Sequence, residues 1–196
     1  MEEAMSAKGK RAAAERLKAL IRSRFSEFVA GHGFEPERGD ALGFRFRRKI
    51  DQRHDLIEVQ FDKYLRPRFI LNFGTVSSDG LIDAYGRHIE ADDVRISHLV
   101  ESGRLNACPR FFLEYWFGVG SFTISPPERA AERQIERLIG LFPQVERWFA
   151  TGRARMNLSV RTEPINMPGA RKKFMEAKGT WPPEGWTKED EDKLRM

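Results

Sequence analysis

The chain has 196 residues, with 34 Lys and Arg against 29 Asp and Glu, a net charge of +5, and a 40% hydrophobic share. That length is one domain, or one domain with a tail. No stretch reaches the ~18 uncharged apolar residues of a membrane-spanning helix, 15 Phe and 4 Trp need a core to bury them, and the single Cys108 excludes a disulfide scaffold.

The first predicted element is a helix from Ala7 to Ala30. Leu17, Ile21, Phe25 and Phe28 recur at spacings of three and four, flanked by Leu20 and Val29, while Glu15, Lys18, Arg22 and Ser26 take the wet side. Gly31 and Gly33 end it. Three strands follow. In Leu42–Lys49, Phe44 and Phe46 alternate with Arg45 and Arg47; in His54–Asp62, Ile57, Val59 and Phe61 alternate with Glu58, Gln60 and Asp62; in Pro67–Val76, Phe69, Leu71 and Phe73 alternate with Arg68, Ile70 and Asn72. Period two gives each strand one apolar and one different face.

Turns at Asp51-Gln52 and around Tyr64-Leu65-Arg66 set the register. The first places Phe46 opposite Ile57, Phe44 opposite Val59 and Arg45 opposite Glu58. The second places Phe61 opposite Phe69, Val59 opposite Leu71 and Glu58 opposite Asn72. A slip by one residue would turn the apolar set to the other face. Ile70 is the exception, and Asp62 falls beside Arg68.

Residues 77–109 lack a period. Turns are expected at Ser77–Gly80 and Ser102-Gly103, with a short helix near Asp93–Val100. Phe111–Ile124 reads as a further strand or a bent hairpin, interrupted at Gly118 and Gly120. Ser125-Pro126-Pro127-Glu128 is a helix start, with Ser at the cap, Pro at the first position and Glu at the third. The helix carries Ile135, Leu138, Ile139 and Phe142. Pro143 either kinks it or begins another with Val145, Trp148 and Phe149, and Gly152 ends it. The expected fold is α+β: an antiparallel meander with the N-terminal helix and the 126–151 helices packed on its apolar face. Residues 1–162 form this single domain; 163–196 form a charged tail punctuated by Pro and Gly, docked through Trp181 and Trp186.

The densest group of ligand-type residues is His88, Glu90 and Asp92, with His98 shortly after. His and carboxylates hold divalent metals. His88 and Glu90 imitate the His-x-Glu of zinc deaminases, but the Pro-Cys-x-x-Cys half of that signature is missing and only Cys108-Pro109 stands in its place. The simpler reading is a solvated loop and a helix start capped by Asp92 or Asp93. No nucleophile elbow, phosphate loop or dinucleotide fingerprint occurs. No catalytic set can be filled and no cofactor is implied, so the expectation is a non-catalytic protein.

Basic residues concentrate at Arg45, Arg47, Arg48, Lys49 and Arg53, at Lys63, Arg66 and Arg68, and at Arg171-Lys172-Lys173. Phe44 and Phe46 interleave with the first group, yet their alternation assigns them to the core, not to a base-stacking platform. The candidate binding residues are therefore Arg45, Arg47, Arg48, Glu58, Gln60, Lys63, Arg68 and Asn72. Left open to water their sheet face is merely solvated; roofed over, it becomes a polar pocket.

The order of signals, Gly31-His32-Gly33-Phe34, then Gly43-Phe44-Arg45-Phe46-Arg47, then Leu56 to Lys63, then Phe69-Ile70-Leu71-Asn72-Phe73-Gly74, resembles a bacterial family called domain of unknown function 4304. The likeness covers about Leu17 to Gly74, with a weaker echo at Tyr115-Trp116. The family has no established activity, so the resemblance implies no catalytic residues. It implies an antiparallel sheet and an intracellular bacterial setting. Met1-Glu2-Glu3, followed by Lys8, Lys10 and Arg11 without an apolar segment, predicts no signal peptide and a cytoplasmic location. The leading expectation is a binding module for a protein partner. The competing ones are a nucleic-acid-associated protein, using the basic strand and tail, and a metal-dependent enzyme centred on residues 88–98.

Overall fold

The computed structural model describes residues 7–38, 43–64, 66–82, 87–99, 101–109, 116–119 and 127–161. The N-terminal helix is continuous but not uniform. α1 (Ala7–Leu20) passes through a π-helical turn at Ile21–Phe25 into α2 (Ser26–Ala30). Its buried stripe, Leu17, Ile21, Phe25 and Val29, repeats every four residues. In a regular α-helix a four-residue step drifts by about 40° around the axis. The wider turn takes up that drift, and Leu17, Ile21, Phe25 and Val29 are all fully buried. Gly33, at φ 82°, turns the chain out of the helix.

The sheet has seven described strands: β1 (Glu35–Glu37), β2 (Gly43–Ile50), β3 (Arg53–Phe61), β4 (Arg68–Ser77), and, after a separate two-stranded ribbon of β5 (Leu81–Ile82) and β6 (His88–Ile89), β7 (Ser102–Leu105), β8 (Phe117–Gly118) and β9 (Leu158–Arg161). Every pairing is antiparallel, in the order β1-β2-β3-β4-β7-β9, and β8 also pairs with β4, at Arg68 and Phe69. The β2–β3 and β3–β4 registers match the alternation: Phe46 faces Ile57, Arg45 faces Glu58, Val59 faces Leu71 and Phe61 faces Phe69.

One face of the sheet packs Phe46, Ile57, Val59, Phe69, Leu71, Phe73, Leu105 and Leu158 against the N-terminal helix, α3 (Pro127–Leu141) and α4 (Pro143–Thr151). Pro143 begins a second helix, and Gly152 ends it at φ 67°. A smaller core of Leu56, Val76, Val94, Ile96 and Leu99 lies on the other face at one end, so residues 91–99 roof that corner.

Several expectations need correction. In place of one short helix near 93–100, the described residues 91–99 form two single 3-10 turns, Ala91–Asp93 and Ile96–His98. Asp92 and Asp93 lie inside the first turn, and no side chain caps it. Ser102-Gly103 is not a turn but the start of β7. Gly103 is there because Phe73 lies across it: a Cβ would come within 2.3 Å of the ring. The short edge strands β1 and β9 were unexpected, and the predicted strand bounds shift by one residue. The features read at 111–115 and 120–126, and the tail with Trp181 and Trp186, lie outside the described residues. No described helix is long and apolar enough to cross a membrane.

Candidate functional site

Away from the helices, the second face carries one polar row that crosses six strands. Cross-strand pairing aligns Glu37, Arg45, Glu58, Asn72, Arg104 and Ser159. Strand alternation places these residues on the face opposite Phe46, Ile57, Leu71 and Leu105. Arg104 Nε donates to Asn72 Oδ1 at 3.0 Å, and Asn72 Nδ2 donates weakly to Gln60 Oε1 at 3.5 Å. Arg45 donates to the carbonyl of Arg38. Arg45, Glu58 and Arg104 are half-buried, Asn72 is buried, and Gln60 and Ser159 are exposed. The row is thus a fixed sequence of acid, base and amide, supported by neighbouring strands.

One row further along, the face closes. Arg47 is 5% exposed. Its guanidinium donates to the carbonyls of Ala91 (2.6 Å), Asp92 (3.1 Å) and Val94 (3.0 Å), and to the carboxylate of Glu37. His54 Nδ1 lies 3.3 Å away. Asp92 pairs with Lys49 at 2.8 Å and lies 3.6 Å from His54. The Lys49 hydrogen bond, which outweighs the cost of burial, holds the Asp92 carboxyl below its ordinary range, with help from the charges of Lys49, His54 and Arg47. Leu99 of the roof packs over Gly74, where a Cβ would come within 2.4 Å of its methyl group.

Arg48 lies on the helix face, as alternation from Arg47 requires. It donates to Asp55 Oδ2 (2.8 Å), both Glu146 oxygens (3.0 Å) and the His32 carbonyl (3.0 Å), and its guanidinium stands 4.3 Å from the Phe34 ring centre. It joins β2, β3, α4 and the end of the N-terminal helix.

The face ends at the β3–β4 turn. Buried Asp62 accepts from Arg68 Nε (2.7 Å), Arg66 Nε (3.0 Å) and the Tyr64 N–H (2.7 Å). Burial by itself would raise this carboxyl, but the Arg68 and Tyr64 hydrogen bonds and the two arginine charges together hold it below its ordinary value. Arg68 also stacks 4.2 Å from the Trp116 ring centre.

The structure therefore brings Arg45, Glu58, Gln60 and Asn72 together and sets Lys63 and Arg68 at the end of the same face. Arg47 and Arg48, from the same sequence cluster, are separated to opposite faces and engaged internally. Arg104, Arg66 and Tyr64 belong to the surface although sequence reasoning did not include them in the candidate set. The turn-like Ser102-Gly103 pair conceals the strand that carries Arg104.

Of the four metal-type residues, His88 and Glu90 meet each other, and Asp92 and His98 have other partners. His88 meets the Asp79 carbonyl (2.7 Å) and Glu90 (3.3 Å), Asp92 meets Lys49, and His98 accepts from the Arg95 N–H at 3.2 Å. Among the described residues, no three His, Cys, Asp or Glu side chains converge to hold a metal. Comparison with protein-family models, curated proteins and solved structures found no match.

Proposed function

We propose that this chain is a non-catalytic module that binds another protein through the second face of its sheet. The observation that carries the reading is the cross-strand row of Arg45, Glu58, Asn72 and Arg104, flanked by exposed Gln60. A row of alternating charge and amide on a rigid sheet suits the polar part of a protein interface, where hydrogen bonds and opposed charges fix orientation. The arginines that look like a phosphate-binding cluster in sequence have internal carboxylates instead: Arg47 has Glu37, Arg48 has Asp55 and Glu146, Arg68 has Asp62. The aromatics between them, Phe44 and Phe46, pack with the core. These two facts weigh against nucleic acid as the partner. Membership of the family resembled over Leu17 to Gly74, and a cytoplasmic bacterial setting, belong to the same proposal.

A photo-crosslinking residue at Gln60, with a control at exposed Arg133 on α3, tests it in the cells from which the chain comes. Gln60 is expected to yield a protein adduct that Arg133 does not, and Glu58→Arg should abolish it. Identical adducts from both positions, a nucleic-acid adduct, or none from Gln60 would overturn the reading.

A further inference from the structure

We infer that the β3–β4 turn is the anchor of this docking and that it meets an acidic surface on the partner protein, an inference that rests on the protein-binding reading above. Tyr64 stands at the turn 68% exposed, although an aromatic ring of that size is ordinarily drawn toward a core. It is not loosely placed. The Tyr64 N–H donates to Asp62 Oδ1 at 2.7 Å, which holds the backbone at Tyr64 by the local side-chain bond that Asp favours. Asp62 is itself buried and held by Arg66 and Arg68. Backbone already held at Tyr64 before binding has less conformational entropy to lose there.

The electrostatics favour anions. Arg66 and Arg68 both pair with the single carboxylate of Asp62, and Lys63 stands beside them over the Tyr64 ring. Lys63 Nζ lies 5.0 Å and the Arg66 guanidinium 5.3 Å from the Tyr64 ring centre. The positive edge continues onto the N-terminal helix, where exposed Arg22 lies 5.5 Å from the Phe44 ring centre, and Phe44 is 6.0 Å from Phe61 at the end of β3. Among the described residues neither Lys63 nor Arg22 has a carboxylate partner.

Carboxylates fit this surface better than a nucleic acid does. Lys63 and Arg66 already lie over the Tyr64 ring, so a stacking base would have to displace a cation from it. A few cations, some shared with Asp62, are a small set for a phosphate backbone. What remains is an amphipathic ring beside N–H donors, the Tyr and Arg combination that recurs at binding hot spots.

The test uses p-benzoylphenylalanine in place of Tyr64 in the full chain, expressed in its own cells, with the crosslinked peptide read by mass spectrometry. The expected result is an adduct to a segment of another protein rich in Asp and Glu. Its yield should fall about tenfold in a Lys63→Glu/Arg66→Glu background and persist in Lys63→Arg/Arg66→Lys, with the urea midpoint confirming that each variant folds. An adduct from the Gln60 position but none from Tyr64 overturns the acidic-anchor inference alone and leaves the sheet-face reading standing. An adduct to nucleic acid, or to a peptide without clustered carboxylates, also overturns it. Absence of adducts from both positions overturns both readings.

Discussion

Replacing Arg47 by Met keeps most of the side-chain stem and deletes the guanidinium, so the clamp on residues 91–94 is removed with little change in packing volume. The carbonyls of Ala91 and Val94, whose bonds to Arg47 are buried, lose their donor, while the Asp92 carbonyl sits nearer water. A buried acceptor left unpaired costs about 1–3 kcal/mol, so two give about 2–6 kcal/mol. Glu37 also loses its cation, and against these losses the folded state no longer buries a guanidinium. The expected net destabilisation is about 3 kcal/mol. Because Arg47 ties the 91–99 roof to β2, the loss should fall first on the roof, and backbone amides there should exchange about 100-fold faster. Urea unfolding gives the first quantity and hydrogen exchange by mass spectrometry the second, with β3 (Arg53–Phe61) as internal reference. A loss below about 0.5 kcal/mol would refute the clamp as a stabilising element, as would equal acceleration in the roof and in β3. Arg47→Lys should recover only part of the loss, since an ammonium cannot span several carbonyls in one plane.

Two further perturbations test other parts of the fold. Gly103→Ala places a methyl against the Phe73 ring, where the contact would be 2.3 Å, and should cost about 1–3 kcal/mol by overpacking in urea titration; Phe73→Leu in the same chain should recover part of that, and purely additive losses would refute the steric account. Asp62 releases its proton more readily in the folded chain than its ordinary value of 3.8, so the unfolded chain binds more protons in acid. Its contribution is full well above 3.8 and is lost as pH falls through the lowered folded value. The gap in urea midpoint between the native chain and Asp62→Asn should therefore be constant near neutrality and shrink below about pH 4; a gap independent of pH would show that the arginine contacts do not act through the charge.

The adjacent pair Arg47 and Arg48 marks the limit of what a sequence can tell. Strand period alone sends them to opposite faces. Nothing local says that Arg47 meets carbonyls 44 and 47 residues on, or that Arg48 meets a carboxylate 98 residues on. The candidate face was legible to the extent that it depends on neighbouring strands joined by short turns: Arg45, Glu58 and Asn72 line up because Phe46, Ile57 and Phe73 must share the core. It was illegible where its members come from β7 and β9. Ser102-Gly103 has the composition of a turn, and only the Phe73 ring lying across Gly103 explains why glycine occupies a strand there. Proximity to a predicted turn picks out Lys63 and Arg68, but not the exposed Tyr64 ring over which Lys63 and Arg66 lie.

From sequence alone came the α+β class, the Leu17, Ile21 and Phe25 stripe of the first helix (its last buried member is Val29, with the expected Phe28 only half-buried), the two central registers and the assignment of Phe44 and Phe46 to the core, all consequences of periods intrinsic to the backbone and of the cost of exposing apolar surface. Tertiary structure alone decided which charges remain at the surface. An arginine's role depends on which carbonyls and carboxylates surround it in space, and those arrive from segments whose positions only the closed sheet and its roof determine.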